Sequence, residues 1–500
     1  MDPWSRRDGT DGTDEDTTIR AADRGPAMAL SVRPAGPVPP QAAHAPHAAR
    51  TEAGAGAADT KAGADTKAGA GTADTEAGAA GAGSPTRPLV TELHLSAFKS
   101  HRGATYPLGP LTVFAGPSGS GKSSALQAYG LLVRLGAGDP LERALAAVPG
   151  GAAACAPDRA APDEQGRRGF RIGCTVDGPA GPVRLDVAVQ TEPDLRIAGE
   201  RLTGGGRTLF TTALTDPGRR TVQAAWHTAG PAPVTRAPFP DDRLGTALLP
   251  LRVAGTTAGQ RLVLAAAEQI LIALRSSFRC DPRPEAVRAF ARTPAASPHQ
   301  RSEAARLRPD CGNLAAVLER TGRECATRHA VLVEAVRAGC SPQVNDVRAH
   351  RHALADAGGR AHAADGQPGP GGGRRGRDDV RAGGTGAAVR AVLERDGELG
   401  ALPVDWLGDG ELRYLALALV LLTGPGVLAV DPVAEVLPAR QVLTVVADGL
   451  DRCLDRRQST ALFELAVRMA TRGHVRLLGT VTDASVAART PGSRVLHLGV

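Results

Sequence analysis

Residues 116–123 read Gly-Pro-Ser-Gly-Ser-Gly-Lys-Ser and fit the pattern G-x-x-x-x-G-K-[ST] of a phosphate-binding loop. The apolar residues 110–115 predict a short buried strand before this loop, and residues 122–135 predict a helix after it. A strand, a glycine-rich loop and a helix form the arrangement that such a loop requires. The glycines let successive N–H groups and the helix N-terminus face the same anion.

The motif therefore predicts a nucleotide site. A chance match is the alternative, and the residue frequencies of this chain give on the order of 0.01 expected matches. Lysine usage favours the functional interpretation, because Lys122 is one of only four lysines among 59 basic residues. A compact ammonium reaches between β- and γ-phosphates, where a planar guanidinium fits poorly. The predicted nucleotide contacts are Gly116, Pro117, Ser118, Gly119, Ser120, Gly121, Lys122, Ser123 and Ser124.

Length and composition restrict the class of protein. A chain of 500 residues allows two or three domains. The net charge of +7 permits binding to a polyanion without establishing it. The seven cysteines include no C-x-x-C pair, which is typical of reduced thiols. The N-terminus lacks the apolar core of a signal peptide, and the longest apolar stretch, Tyr414–Leu422, is too short to span a bilayer. We expect a cytoplasmic protein that does not cross a membrane.

Composition and periodicity divide the chain into five predicted segments. Residues 1–86 have few large apolar side chains and are predicted to form a disordered low-complexity tail. Residues 88–250 are predicted to hold the phosphate-binding loop and an antiparallel β subdomain. Residues 251–356 predict a mainly helical insertion, and residues 357–387 predict a flexible Gly- and Arg-rich linker. Residues 388–500 predict the second half of the α/β unit.

The two middle segments contain residues with open alternatives. Residues 313–338 have apolar side chains at helical spacing and predict one long helix, on which His329 is predicted to be a packed core histidine rather than a ligand. In the linker, Arg374, Arg375 and Arg377 could contact nucleic acid, but a solvated charge run is the favoured interpretation.

The C-terminal third alternates between strand and helix patterns, which implies a mostly parallel sheet. The predicted elements are a strand at 389–394, a helix at 410–422, a strand at 426–431, helices at about 438–455 and 458–471, and strands at 475–480 and 495–498.

The run Leu407–Leu417 leads from a glycine turn directly into a helix. The free N–H groups of such a helix start can bind an anion, and an ordinary helix cap is the alternative. The candidate contacts at this turn are Gly408, Asp409, Gly410 and Glu411.

The run Val427–Asp431 is apolar and ends in an acid at the carboxyl end of a predicted buried strand. In phosphate-loop enzymes such an acid helps to hold Mg²⁺ together with the loop hydroxyl. Ser123 and Asp431 are therefore the candidate metal ligands. A turn-forming Asp in front of Pro432 is the alternative.

Taken together, these runs resemble the AAA-family ATP-binding proteins with an ABC-type head, which are related to RecF, to SMC-like ATPases and to the ATPase part of overcoming-lysogenisation-defect proteins. The resemblance is carried by Thr91–Ser100, by Leu108–Val113, by the loop with Ala125–Ala128 after it, and by the run from Leu407, where the family usually has Leu-Ser-x-Gly. It implies an α/β P-loop NTPase head of the ABC/SMC-like type, with an antiparallel β subdomain and a mainly helical insertion.

The same resemblance implies ATP and Mg²⁺ as cofactors, with Asp431 at the Walker B acid. It also implies a homodimer in which two heads enclose two ATP molecules and each signature loop caps the nucleotide of the partner. Binding of DNA is left open.

Three positions depart from the family pattern. Pro432 stands where the family has a water-positioning Glu, which leaves Glu435 as the nearby candidate for a catalytic base. Gly408 stands where the signature Ser would touch the partner's γ-phosphate, and Val481 stands where a switch His is expected. Losing the positioning of water typically costs orders of magnitude in rate. A slow ATPase is therefore predicted, and a non-hydrolysing ATP-gated switch that binds a protein or DNA is the alternative.

Overall fold

The computed structural model describes residues 87–229, 233–292, 306–340, 343–353, 387–397, 400–424, 427–428 and 441–499. These residues belong to a unit that runs from Pro85 to Val500. The predicted tail at 1–86 and all but the last residue of the predicted linker at 357–387 lie outside the described residues.

Sixteen strands occur among the described residues. In chain order they are β1 (Leu89–Phe98), β2 (His101–Pro107), β3 (Leu111–Ala115), β4 (Arg168–Asp177), β5 (Val183–Glu192), β6 (Arg196–Gly204), β7 (Arg207–Ala213), β8 (Thr221–His227), β9 (Val234–Pro240), β10 (Ser277–Arg279), β11 (Val344–Ala353), β12 (Ala387–Arg395), β13 (Ala401–Pro403), β14 (Leu443–Ala447), β15 (Val475–Thr480) and β16 (Ser493–His497).

Ten α-helices occur in the same part of the chain. In chain order they are α1 (Lys122–Gly136), α2 (Leu141–Ala146), α3 (Gly245–Arg252), α4 (Ala258–Arg275), α5 (Pro284–Ala291), α6 (Leu314–Glu324), α7 (Ala326–Gly339), α8 (Asp409–Leu422), α9 (Arg456–Thr471) and α10 (Ser485–Arg489).

A five-stranded parallel sheet in the order β10-β14-β15-β3-β16 forms the centre of the described unit. Its strands β3, β14 and β15 are buried along their whole length, as expected for a parallel sheet that is covered on both faces. Alternate side chains enter two different cores: Leu111 and Val113 pack with α8 and α9, whereas Phe114 packs with α1 and α4.

An eight-stranded antiparallel sheet in the order β2-β1-β4-β5-β6-β7-β8-β9 covers the α1 side. Its apolar face packs against α4, whose own buried stripe includes Val263, Ala267, Ile270 and Leu274. A smaller antiparallel sheet, β11-β12-β13, packs with α6. The fold is therefore mixed α/β with an antiparallel sheet, as the sequence predicts.

Three sequence predictions differ from the structure. The helix predicted at 438–455 contains β14 instead, and the single helix predicted at 313–338 is two helices separated by the extended backbone of Cys325 (φ −152°, ψ 95°). The segment 251–356, predicted as a helical insertion, contributes β10 to the central sheet and α4 to the antiparallel layer. Short apolar runs are ambiguous between strand and helix when only the periodicity is known.

Candidate nucleotide-binding site

The predicted phosphate-binding loop connects β3 to α1, so the predicted order of strand, loop and helix is confirmed. Its three glycines, Gly116, Gly119 and Gly121, have positive φ angles of 145°, 84° and 96°. A Cβ at Gly116 would strike the carbonyl oxygen of Leu498, and a Cβ at Gly121 would lie 2.9 Å from ring atoms of His101. Only glycine fits this path, which is the backbone shape that forms an anion-binding concavity.

The first turn of α1 is free of groups that would compete with an anion. Gly121 is the N-cap and supplies no side-chain acceptor, and the first turn contains no acidic residue. The helix is 15 residues long, and its N-terminus carries roughly half a positive charge. This end of α1 can therefore attract a phosphate group.

Lys122 places its ammonium over the loop. Its Nζ donates to the carbonyl oxygens of Gly116 and Pro117, each at 2.8 Å. The positive charge thus lies at the loop to which the phosphates of a nucleotide would bind.

Ser123 lies against an acid that sequence reasoning missed. Its Oγ donates to Oδ1 of Asp448 at 3.1 Å, and Oγ1 of Thr480 donates to the same oxygen at 2.5 Å. Asp448 directly follows β14 and Thr480 ends β15, which lies between β14 and β3 in the sheet. The carboxyl ends of three neighbouring parallel strands therefore meet at one site, where open α/β sheets bind their ligands.

The predicted ligand Asp431 and the predicted base Glu435 lie outside the described residues. The signal for Asp448 was present in the sequence: Val442–Ala447 is an apolar run that ends in an acid, as Val427–Asp431 does. The sequence prediction of a helix at about 438–455 conceals this strand end and its acid.

The residue after Asp448 is Gly449, whose φ is 65°. Its N–H donates to Oγ1 of Thr480 at 2.7 Å. Gly449 therefore offers no carboxylate beside Asp448, and Pro432, where the resemblance expects the acid that orients water, lies outside the described residues. Val481 has its backbone N–H bonded to the carbonyl oxygen of Phe114, and its side chain is buried in the core with α8 and α9.

Both carboxylates of the glycine turn at the start of α8 have partners within this chain. Oε2 of Glu411 accepts from the N–H of Gly408 at 3.2 Å, and Asp409 pairs with Arg288 at 2.7 Å. Gly410 lies against the carbonyl oxygen of Cys453. Within one chain these residues form a capped helix start beside the loop that follows Asp448.

The side chain of His101 packs against the loop and forms a hydrogen bond with it. The carbonyl oxygen of Gly121 can only accept, so Nε2 of His101 donates to it at 3.0 Å, and the Tyr106 hydroxyl donates to Nδ1 at 2.9 Å. Burial lowers the pKa of His101 below its ordinary value of 6.5, with a smaller contribution in the same direction from Arg102. The neutral imidazole is therefore the form that this site holds.

His329 is not a simple packed core residue. Its Nε2 lies 2.7 Å from Oδ1 of Asp346, and Asp346 also pairs with Arg348. These contacts connect α7 to β11. Hydrogen bonds from His329 and Arg348 lower the pKa of Asp346 against the opposing effect of desolvation.

Among the described residues, none of the helices combines the length and apolarity needed to cross a bilayer. The same part of the chain has no group of three or more His, Cys, Asp or Glu side chains that could hold a metal by themselves. A magnesium site that uses one carboxylate and one hydroxyl remains compatible with this finding, because Mg²⁺ is usually bound through one or two carboxylates and substrate phosphates.

No protein-family profile matches this chain, and no curated protein matches it. Solved structures of SMC head domains are similar at low identity. An SMC head bound to the C-winged helix domain of ScpA is 12% identical with a TM-score of 0.42, over 80% of this chain and 92% of that one. An SMC head domain from Thermotoga maritima is 10% identical with a TM-score of 0.35, over 81% and 92% of the two chains.

A third structure, an Smc head with an extended coiled coil bound to the C-terminal domain of ScpA derived from Pyrococcus furiosus, is 11% identical with a TM-score of 0.38, over 81% and 92%. TM-scores below 0.5 carry no argument about function, so the functional assignment rests on the site geometry. The AAA label and the relation to overcoming-lysogenisation-defect proteins stay predictions.

Proposed function

We propose that this chain binds ATP with Mg²⁺ and hydrolyses it slowly, as an AAA/ABC-like ATPase head. The observation that carries the proposal is the contact between Ser123 of the phosphate-binding loop and Asp448 at the end of the neighbouring strand β14. A phosphate-loop hydroxyl and a strand-end aspartate are the two protein groups that hold Mg²⁺ in such sites.

The residues present fit both ligands. The glycine path of the loop, the uncapped start of α1 and the ammonium of Lys122 suit a polyphosphate. A hydroxyl and a carboxylate oxygen are hard ligands of the kind that Mg²⁺ prefers. Ser123 and Asp448 would hold Mg²⁺, which would supply positive charge against the charge that develops on the phosphates.

Asp448 and Asp431 are competing candidates for the acidic ligand. Asp448 is favoured because it contacts Ser123 and because its strand belongs to the same sheet as β3. For Asp431 the only support is its sequence pattern, an apolar run followed by an acid.

Calorimetric titration with ATP in the presence and absence of Mg²⁺ tests this assignment. Lys122→Ala should abolish detectable binding in both conditions. Asp448→Asn should remove the gain in affinity that Mg²⁺ provides, and the matched variant Asp431→Asn should retain it. If Asp431→Asn loses the gain and Asp448→Asn keeps it, the metal ligand is Asp431. Unchanged ATP affinity in Lys122→Ala would place the nucleotide site elsewhere.

The second candidate function is a non-hydrolysing ATP-gated switch that binds a protein or DNA partner. Gly449 after Asp448 and the buried Val481 favour it, since glycine has no side chain and the side chain of valine is apolar, so neither residue can orient water through its side chain. Glu435 remains the proposed base for slow hydrolysis. Turnover measured in the parent and in Glu435→Gln separates the two functions.

The proposed assembly is a homodimer through the nucleotide. In this assembly Gly408, Asp409, Gly410 and Glu411 would contact the ATP of the partner, consistent with their position at a helix start. The same turnover assay, run with and without DNA, tests whether DNA affects the protein.

A further inference from the structure

A buried arginine, Arg413 in α8, connects three segments that converge behind the candidate metal site. Its Nη2 donates to the carbonyl oxygen of Gly449 at 3.0 Å, its Nε to that of Arg452 at 3.1 Å and its Nη1 to that of Pro282 at 2.6 Å. Arg413 is 4% exposed. These three partners are backbone carbonyls that belong to the loops after β14 and β10.

Further hydrogen bonds connect Gly449 to the predicted phosphate-binding loop. The N–H of Gly449 is held by Oγ1 of Thr480, and that hydroxyl donates to the Asp448 carboxylate that accepts from Ser123. Hydrogen bonds thus connect Ser123 to the N–H of Gly449, and the carbonyl oxygen of the same residue accepts from the guanidinium of Arg413. Gly449 has no side chain, so the hydrogen bonds at its N–H and at its carbonyl oxygen orient the two peptide groups that flank it, and the first of these adjoins Asp448.

Neighbouring contacts keep α8 close to this loop. Gly410 approaches the carbonyl oxygen of Cys453 so closely that a Cβ there would overlap it. A guanidinium that is buried against carbonyl groups loses hydration without the full compensation of a carboxylate. An apolar side chain here would remove the donor to all three carbonyl groups, so the side chain fixes the relative position of the segments that carry them.

We propose that Arg413 is a positioning residue for the metal side of the nucleotide site. By holding the Gly449 peptide, it keeps the Asp448 carboxylate in the position that meets Ser123. The proposal rests on the proposed function, and it adds that α8 and the Mg²⁺ ligands are coupled through this residue. Residues that orient a metal ligand typically change metal affinity or activity by about 10–100-fold when substituted.

The test uses the full-length chain and calorimetric titration with ATP, in EDTA and in excess Mg²⁺. In Arg413→Gln the affinity for ATP in EDTA should match the parent, because the loop and Lys122 are untouched. In Mg²⁺ the affinity should fall by about 10–100-fold. Arg413→Lys keeps the charge and part of the hydrogen bonding and should recover part of the loss.

Arg476 provides a matched control. It is 7% exposed and donates to the carbonyl oxygens of Val90, Leu108 and Gly109, at the opposite end of β15 from Thr480. Arg476→Gln should lower the thermal midpoint as Arg413→Gln does, while the gain in affinity from Mg²⁺ stays at the parent value.

Three outcomes overturn the proposal. Equal losses in EDTA and in Mg²⁺ would make Arg413 a structural residue only, and so would an equal effect of Arg476→Gln on the gain from Mg²⁺. A parent chain that binds ATP without any effect of Mg²⁺, or does not bind it, would overturn the proposed function and this inference together. If Arg413→Gln does not fold, the comparison of Arg413→Lys with Arg476→Lys gives the same decision.

Discussion

At the residue scale, the position after Asp448 bears on the proposed hydrolysis of ATP. Gly449 has a φ of 65° and lies between its bonds to Thr480 and Arg413. A Cβ there would come within 3.3 Å of Nε of Arg452. A side chain could be added only with backbone strain, because non-glycine residues rarely adopt this conformation. The site thus has groups suited to phosphate and Mg²⁺ without a carboxylate side chain beside Asp448.

We expect turnover at saturating Mg²⁺ and ATP below about 1 per second, the lower end of ordinary enzyme rates. Gly449→Glu should not raise turnover to that range, because the strain displaces the carboxylate. The measurement is phosphate release by the parent, Gly449→Glu and Glu435→Gln. Parent turnover above that limit would contradict slow hydrolysis, and its collapse in Glu435→Gln alone would identify the base.

His101 gives a second expectation at this scale. Its pKa in the folded chain is below 6.5, so the unfolded chain binds more protons between these two pKa values. Its contribution to stability is complete above pH 6.5 and is lost as the pH falls from 6.5 towards the folded pKa. His101→Gln should therefore lose less stability than the parent between about pH 7.5 and 5.

Urea midpoints across this pH range measure the effect. His94, whose pKa is also lowered mainly by burial, is the matched control: its contribution has the same sign and remains in His101→Gln. Identical pH profiles for the parent and His101→Gln would contradict the assignment. Three carboxylates have lowered pKa values and therefore change the stability only near and below pH 3.8, outside this range; they are Asp163, Asp346 and Asp483.

The residues of the site differ in how well the sequence predicts them. The strand, loop and helix around residues 116–123 could be predicted, because a local spacing encodes that arrangement. The acid that Ser123 contacts is 325 positions away in the sequence. Two apolar runs ending in Asp were available, and only the pairing of β14 with β15 places one of them beside the loop.

At the element scale, the packing of α7 on α8 is close enough to require glycine. A Cβ at Gly339, the last residue of α7, would overlap the ring of Tyr414, which is fully buried and donates its hydroxyl to the carbonyl oxygen of Ala335. Gly130 in α1 differs, since a Cβ there would meet nothing within 4 Å. Two helical glycines therefore have opposite consequences when substituted.

Gly339→Ala should destabilise the fold by about 1–3 kcal/mol through overpacking. Gly130→Ala should stabilise it by about 0.4–1 kcal/mol, because alanine lowers the entropy of the unfolded chain and favours the helix. Urea unfolding of the two variants and the parent gives both values. If the free energy of unfolding changes in the same direction in both variants, the contact between α7 and α8 is not as close as described.

The helices and strands also differ in how well the sequence predicts them, because some are determined by a local motif and others by long-range pairing. Strand β3 and helix α1 flank a motif that fixes their type, and they were predicted correctly. Strand β14 has five residues, all buried, and only its partners β10 and β15 make it a strand. Cys325 adopts an extended backbone that ends one helix and begins the next, and no glycine or proline marks that break.

At the scale of the whole molecule, the central sheet is assembled from distant parts of the chain. Strands from residues 111–115, 277–279 and 443–497 pair in parallel, so each junction depends on long-range contacts that local periodicity does not encode. The sheet separates the core that contains α1 and α4 from the core that contains α8 and α9. The phosphate-binding loop and Asp448 lie at the carboxyl edge between these cores, where movement of either core would alter the site.

This position leads to the expectation for assembly. We expect the chain to be monomeric without nucleotide and to form a dimer at saturating ATP and Mg²⁺, because each site would gain the α8 helix start of the partner. The measurement is sedimentation velocity of the parent with ATP and Mg²⁺, with ADP, and without nucleotide. Lys122→Ala should stay monomeric in all three, and a chain lacking residues 1–86 should dimerise like the parent, since every residue assigned to the site lies after that segment. Slow turnover prolongs the ATP-bound state, so the dimer should persist for the length of the experiment. A parent chain that binds ATP and remains monomeric would contradict the proposed assembly while leaving the nucleotide site intact.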